Sequence, residues 1–181
     1  MSKFHLSPPA GAALLAALLF GASTPFAKQL LQGMSPILLA GLLYPGSGLG
    51  LGVIRLLRDR GFRMPAMTRT EWLWLLLAIG FGGVLGPVAL LFGLSTTSAA
   101  SASLLLNLEA VLTAIIAWSV FRENAGRNVV LGMIAIVAGA VLLAWPTPSD
   151  ASGGLGFGAL LIAGACLCWA LDNNLTRKVS A

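Results

Sequence analysis

Few side chains in this sequence could do chemistry, and two of the six acidic residues lie inside long apolar stretches. Glu109 sits near the middle of one stretch, and Asp172, followed directly by Asn173, lies in the second half of another. A charged side chain at the centre of a bilayer costs about 2.5–3.5 kcal/mol on insertion scales, so each such residue requires a partner or a function. The chemistry to consider first is therefore binding of a cation or a proton.

Catalysis inside the membrane is the competing class, and the sequence disfavours it. Hydrolysis or metal chemistry there requires a Ser/His, Asp/Asp or His-rich constellation. The only histidine is His5, which precedes the apolar stretches, and no GxxxxGK[ST] phosphate-binding loop is present. We predict no enzymatic activity, no cofactor and no metal site.

A polar stripe surrounds Glu109 when its stretch is drawn as one helix. At 100° per residue, a sector of about 120° holds Ser98, Ser101, Glu109 and Thr113. The stripe predicts a face lining a polar cavity, in which Glu109 binds a cationic group of a substrate or carries a proton. A structural interpretation stands beside it, in which Glu109 is the fixed partner of a nearby cation or helix end.

Two further polar groups carry the same ambiguity. Lys28 and Thr24 share a helix face, and Pro25 between them leaves a backbone carbonyl without its helical donor. They form either an outer gate or substrate contact, or a lysine that extends to the headgroups. Asp172 and Asn173 either line a polar pathway through the helices or mark a helix end that meets water.

The elements that position these residues are predicted to be membrane helices. Hydrophobic residues make up 57% of the 181 residues and charged residues only 9%, against about 25% in a soluble domain. The apolar runs approach about 20 residues, the length that crosses a bilayer core. We predict an all-α polytopic membrane helix bundle with spans at 10–31, 36–57, 72–94, 99–121, 129–145 and 155–175. Short connections predict that sequential spans pack as antiparallel neighbours.

Basic residues predict the orientation of the chain. Ten of the eleven Lys and Arg residues fall in one alternating set of connections, and the exception is Lys28. Because such loops remain in the cytoplasm, the N-terminus is predicted to be cytoplasmic, in the cell (inner) membrane. The net charge of +5 therefore reflects topology and indicates no nucleic-acid partner.

Aromatic, small and sulfur-containing residues are assigned packing roles only. Tryptophans near predicted span ends are interpreted as interface anchors: Trp72, Trp74, Trp118, Trp145 and Trp169. Glycines four residues apart predict close helix packing at Gly46/Gly50, Gly48/Gly52 and Gly82/Gly86. Pro45 and Pro87 are expected to add kinks to the same helices. Cys166 and Cys168 are read as small core hydrophobes.

The sixth span resembles a second copy of the first. Aligning Lys28 with Arg177 also pairs Ala16 with Ala165, and Phe20 with Trp169. Since five spans form one unit, a second unit enters the membrane in the opposite sense, as inverted-repeat transporters require.

A family resemblance rests on residues 98–143. Small residues precede Leu104 to Leu106; Glu109, the Arg122–Glu123 turn and the glycines Gly132 and Gly139 follow. This pattern resembles an EamA domain of the drug/metabolite transporter superfamily, although Ala110 stands where that pattern usually has proline. The resemblance implies a ten-helix permease, of which this chain is expected to be a C-terminally truncated fragment.

The domain prediction follows from the repeat and the resemblance. Residues 1–9 are a cytoplasmic N-terminus, 10–146 the first EamA repeat, 147–154 an outer linker, and 155–181 the first helix of a truncated second repeat. The predicted function is secondary-active transport of a small metabolite, amino acid or drug-like compound by alternating access, with a coupling proton or ion. The alternatives are a noncatalytic half-transporter that must oligomerise, as a homodimer or with a missing second repeat, or a membrane-embedded enzyme. The lipid bilayer and a small-molecule substrate are the expected partners.

Overall fold

A computed structural model describes residues 8–59, 67–121, 126–144 and 156–180. Every regular element in those ranges is helical, which confirms the predicted all-α bundle. The elements are α1 (Pro8–Leu30), α2 (Pro36–Asp59), α3 (Arg69–Ala78), a π-helical segment (Ile79–Leu85), α4 (Gly86–Thr96), α5 (Ala99–Leu105), α6 (Leu108–Phe121), α7 (Arg127–Ala144) and α8 (Phe157–Ser180).

Four helical stretches are long and apolar enough to cross a membrane: Pro36–Arg58, Arg69–Thr96, Ala99–Val120 and Phe157–Val179. Helices α1 and α7 contribute the shorter apolar stretches Leu14–Leu30 and Arg127–Leu142. All six predicted spans therefore coincide with helical stretches, four of them at full spanning length. The protein is a polytopic helical membrane protein.

Span three begins earlier than its apolar run suggests. Thr68 caps α3, since its hydroxyl accepts the Glu71 backbone N–H at 3.3 Å while the Glu71 carboxylate accepts the Thr68 backbone N–H at 2.6 Å. This capping box satisfies two donors that a helix start would otherwise leave free. The helix consequently starts at Arg69 rather than at the predicted Trp72.

The last helix lies at the centre of the described bundle. Helix α8 contacts α3, the π segment, α4, α5 and α6. Its residues Ile162, Ala165, Cys166 and Ala170 are fully buried. The prediction that sequential spans pack side by side is therefore only partly right: in the described ranges, α1 and α2 do not pack closely, and α8 takes the central place.

Glycines allow span three to approach α8 closely. A Cβ at Gly86 would lie 2.9 Å from the indole nitrogen of Trp169, and one at Gly93 would lie 2.7 Å from the Gly158 carbonyl oxygen. At Gly82 the position of a Cβ is taken by the carboxylate of Asp172. The predicted close packing at Gly82/Gly86 is confirmed.

The glycines of α2 behave differently. A Cβ at any of four positions would meet nothing within 4 Å in the described part of the chain: Gly46, Gly48, Gly50 and Gly52. The close packing predicted for the Gly46/Gly50 and Gly48/Gly52 pairs is therefore not formed among those residues. Helix α2 instead contacts α4 through Leu39, Ala40 and Leu91.

Span three is not a uniform α-helix. In the π segment the Gly86 backbone N–H donates to the Phe81 carbonyl, five residues back, instead of the Gly82 carbonyl four residues back. The next residue, Pro87, has no N–H to donate. The carbonyl of Gly82 therefore loses its α-helical partner and is open to side chains of neighbouring helices.

Span four is interrupted between α5 and α6, at Leu106 and Asn107. The Asn107 side-chain amide donates to the carbonyls of Ser103 and Leu104, at 3.3 Å and 3.0 Å. An asparagine side chain that occupies helix carbonyls competes with the backbone ladder. Accordingly, the Asn107 backbone N–H bonds only three residues back, to Leu104. The interruption ends one helix and begins another just before Glu109.

Several predictions concern residues outside the described ranges. They are the N-terminal segment through residue 7, the linker at 147–154, the Arg122–Glu123 turn, the anchor Trp145 and the basic residues Arg60 and Arg63.

Candidate functional site

The structure brings Glu109 and Asn173 together across two spans. The side-chain amide of Asn173 on α8 donates to Glu109 Oε1 on α6, at 3.0 Å. The interruption of span four places Glu109 in the first turn of α6, where the positive end of the helix dipole stabilises a carboxylate. Two residues predicted separately as pathway residues thus form one site.

An open groove of about 560 Å³ lies beside this pair. Its lining combines the polar residues Asn107, Glu109, Thr113 and Asn173 with the apolar residues Leu106, Ala110, Ala114 and Ala117. The hydroxyl oxygen of Thr113 is buried and has no hydrogen-bond partner among the described residues. The groove therefore offers one carboxylate beside mostly apolar side chains, and the Thr113 hydroxyl is buried in its lining.

The carboxylate of Glu109 has no cationic partner within the described ranges. Its contacts there are the Asn173 amide and the start of α6. The structural interpretation gave Glu109 either a helix end or a cation as its fixed partner. Glu109 does lie at a helix end, the start of α6, whereas the described residues supply no fixed cation. A cationic group in the groove would meet a carboxylate that no basic residue of the described ranges neutralises.

Asn174, next to Asn173, is buried and hydrogen-bonds to the backbone of two helices. It is 8% exposed, and its amide donates to the carbonyls of Ala170 at 2.8 Å and of Thr113 at 3.4 Å. The first bond lies within α8, and the second joins α8 to α6. Asn174 therefore fixes the distance between the two helices that carry Glu109 and Asn173.

Ser98 and Ser101 lie at the other end of span four and do not contact Glu109. Ser98 caps α5, where its hydroxyl accepts the Ser101 backbone N–H at 3.0 Å, and the two hydroxyls are 2.9 Å apart. The helical phase that grouped them with Glu109 and Thr113 assumed one unbroken helix. The interruption at Asn107 removes that assumption.

Lys28 is occupied at the end of span three. Its ammonium donates to the carbonyls of Leu94 at 2.6 Å and Ser95 at 3.1 Å. These are C-terminal carbonyls of α4, which lack helical donors and favour a cation. The sequence predicted that Lys28 forms an outer gate or substrate contact, or extends to the headgroups. In the structure its ammonium instead binds backbone carbonyls of another span. The residue caps a neighbouring helix.

Thr24 is buried, with 4% exposure, and lines a separate chamber of about 210 Å³ between α1, α2 and α4. Most of that lining is apolar, including Phe20, Phe26 and Leu43. Thr24 and Lys28 therefore do not join the Glu109 groove. The chamber and the groove share only Leu106.

Asp172 faces away from the groove, towards the π segment of span three. Its Oδ1 accepts the Thr176 hydroxyl at 3.0 Å, and its carboxylate lies where a Cβ of Gly82 would stand. The Gly82 carbonyl accepts two hydrogen bonds, one from the Tyr44 hydroxyl and one from the Trp169 indole N–H, both at 3.1 Å. Sequence reasoning missed both donors. The sequence features that could have indicated this contact are the single tyrosine and the Gly86–Pro87 pair in span three.

Trp169 is therefore not an interface anchor, contrary to the prediction. It lies midway along α8, where its indole N–H pairs with Gly82 and its ring packs against Gly86. By contrast, Trp72 and Trp118 are exposed, and Trp74 lies under the ammonium of Lys178 at 4.7 Å from the ring centroid. Cys166 is buried as predicted, and its Sγ lies 3.7 Å from the Leu105 carbonyl oxygen at the interruption of span four.

The fold and the groove define a helical membrane protein with a polar site between two of its spans. The chain belongs to the EamA-like transporter family, which matches residues 8–145. It is also similar to an uncharacterized transporter of Methanothermobacter thermautotrophicus, with 30% identity over 92% of this chain and 52% of that protein. The chain thus spans about half the length of this relative. No solved structure matches it.

Proposed function

We propose that the protein is part of a secondary-active permease that moves small amphiphilic amines, a class that includes amino-acid-derived metabolites and drug-like compounds. The observation that carries this proposal is the Glu109–Asn173 pair at 3.0 Å beside an open groove. Family membership supports transport as such, and the groove chemistry supports the choice of substrate.

The groove suits a cation with an apolar body. The Glu109 carboxylate would accept an ammonium group in a setting of low dielectric, where an opposite charge is strongly attracted. The small side chains of Ala110, Ala114 and Ala117 would contact the apolar body.

The proposal also covers the energy source for transport and the orientation of the chain in the membrane. Without a phosphate-binding loop in its 181 residues, the chain would depend on an ion gradient, with alternating access between inverted repeats. Residues 10–146 would form the first repeat and 155–181 the first helix of the second. The N-terminus would lie in the cytoplasm, since ten of eleven basic residues fall on that side of the cell membrane.

The test is transport of radiolabelled phenethylamine, a primary ammonium on an aromatic body, into proteoliposomes that contain the intact protein. Glu109→Gln should lower uptake by about 10- to 100-fold, because a hydrogen-bonded charge contact is worth about 1.5–3 kcal/mol. Glu109→Asp keeps the charge and should retain part of the uptake. Asn173→Ala removes the amide that donates to Glu109 Oε1 and should also lower uptake. Asn128→Ala, at an exposed position on α7, is its matched control and should leave uptake unchanged. Uptake by Glu109→Gln equal to that of the unmodified protein would contradict the proposal.

A further inference from the structure

Helix α8 carries polar side chains to two different neighbours. Asn173 meets Glu109 beside the open groove. Asp172, one residue earlier and therefore about 100° around the helix, meets the π segment of span three. Glu109 and Asp172 thus have separate surroundings on either side of one helix.

Asp172 packs closely against span three. Its carboxylate lies against the backbone of Gly82, at the position that any larger residue would fill with a side chain. The fit therefore depends on glycine at that position, which belongs to the π segment. π-helical segments of this kind occur often at functional sites.

The hydrogen-bond donors around Asp172 are largely committed elsewhere. The Tyr44 hydroxyl and the Trp169 indole N–H both donate to the Gly82 carbonyl. The Thr176 hydroxyl is the one donor to the Asp172 carboxylate in the described ranges, whereas an ionised carboxylate can accept about four hydrogen bonds. A carboxylate with so few donors inside a membrane is stabilised by taking up a proton or a small cation.

We propose that Asp172 is the site of the coupling proton, distinct from the substrate site at Glu109. A proton from water on one side of the membrane adds to the carboxylate, forming one O–H bond. When α8 and span three separate towards the other side, that bond breaks and the proton returns to water. This assignment rests on the proposed transport function and divides it between two faces of α8.

The other titratable groups on the elements around Asp172 are few. Tyr44 on α2 reaches the same glycine, and the last two turns of α2 carry Arg55, Arg58 and Asp59. Glu109 on α6 lies beyond the Asn173 side of α8. Arg69 and Glu71 stand at the start of α3, and the π segment, α4 and α5 contain no titratable residue. Helix α8 itself carries Cys166, Cys168, Arg177 and Lys178, and the last of these lies over Trp74.

The first test measures the proton directly. Infrared difference spectra of the intact protein in a bilayer, recorded across a pH titration, report the carbonyl stretch of a protonated carboxylic acid. We expect Asp172→Asn to remove one such band, and Gly82→Ala to shift its titration because the added Cβ displaces the carboxylate. Gly80→Ala is the matched control, since a Cβ there meets nothing within 4 Å. An unchanged band in Asp172→Asn would overturn the proposal.

The second test separates this proposal from the transport function. In proteoliposomes, Asp172→Asn should still exchange labelled for unlabelled phenethylamine, but should lose accumulation driven by a pH gradient. Accumulation equal to that of the unmodified protein would refute a proton role for Asp172. Absence of exchange in the unmodified protein, with the Asp172-dependent band present, would instead contradict the transport of amines and leave the proton site standing.

Discussion

The indole N–H of Trp169 donates to the carbonyl of Gly82 at 3.1 Å and so joins the central helix to the π segment of span three. The Tyr44 hydroxyl meets the same oxygen at 3.1 Å from α2. Pro87, five residues after Gly82, supplies no backbone N–H. Three spans therefore converge on one carbonyl that has left the helical ladder.

Removal of these donors one at a time should cost little, and removal of both should cost more than the sum. Tyr44→Phe and Trp169→Phe each leave Gly82 with one donor, so each should destabilise the fold by about 1 kcal/mol. The double variant leaves a buried carbonyl unsatisfied, which adds about 1–3 kcal/mol. Thermal unfolding in detergent measures all three values, with exposed Trp118→Phe as control. Simple additivity would show that the Gly82 carbonyl finds another donor.

Gly82 itself should tolerate no side chain. Gly82→Ala sets a Cβ where the Asp172 carboxylate lies and should force α8 away from span three, at a cost of about 1–3 kcal/mol typical of overpacking. Gly46→Ala, where a Cβ meets nothing within 4 Å, should leave stability unchanged or raise it by up to about 1 kcal/mol through helix propensity. Unfolding of both variants under one detergent condition makes the comparison. Equal stability of the two would place the interface elsewhere.

The sequence was sufficient to predict features that depend on composition and length. Apolar runs of about 20 residues predict spans whatever their partners, and α2 begins at Pro36 as predicted. Glu109 and Asn173 were both selected because polar residues in a bilayer are costly. Their pairing could not be predicted, since it depends on which helices are neighbours.

The unpredicted features arise where side chains compete with the backbone ladder. A helix drawn without a break through residues 98–121 hides the effect of Asn107, whose side-chain amide occupies two carbonyls and ends α5. Trp169 was assigned to the interface because of its position near a predicted span end. Its actual role requires the free Gly82 carbonyl, which exists only in the π-helical register.

Lys28 should act on stability rather than on substrate affinity. Its ammonium caps the carbonyls of Leu94 and Ser95 at the end of α4, so Lys28→Met should destabilise the protein by about 1–2 kcal/mol. Lys28→Arg retains the donors and should lose less. Unfolding and the KM for phenethylamine uptake should be measured on the same preparations. A raised KM with unaltered stability would return Lys28 to the substrate pathway.

Asn107 should control the position of Glu109. In Asn107→Leu the carbonyls of Ser103 and Leu104 lose the competing amide, so the backbone ladder can continue through residues 106–108. Glu109 would then leave the first turn of a helix and change its register with Asn173. We expect stability to hold, backbone amide exchange at 106–109 to slow severalfold, and phenethylamine uptake to fall.

Ser103→Ala is the matched control for Asn107→Leu, because it removes a polar group from the same helix face but leaves the Ser103 backbone carbonyl in place. It should change neither amide exchange nor uptake. Exchange and uptake are measured on the intact protein in the same bilayers, so that altered folding is visible in both. If Asn107→Leu slows exchange while uptake persists unchanged, the groove does not depend on the interruption of span four, and Glu109 reaches its substrate from either register.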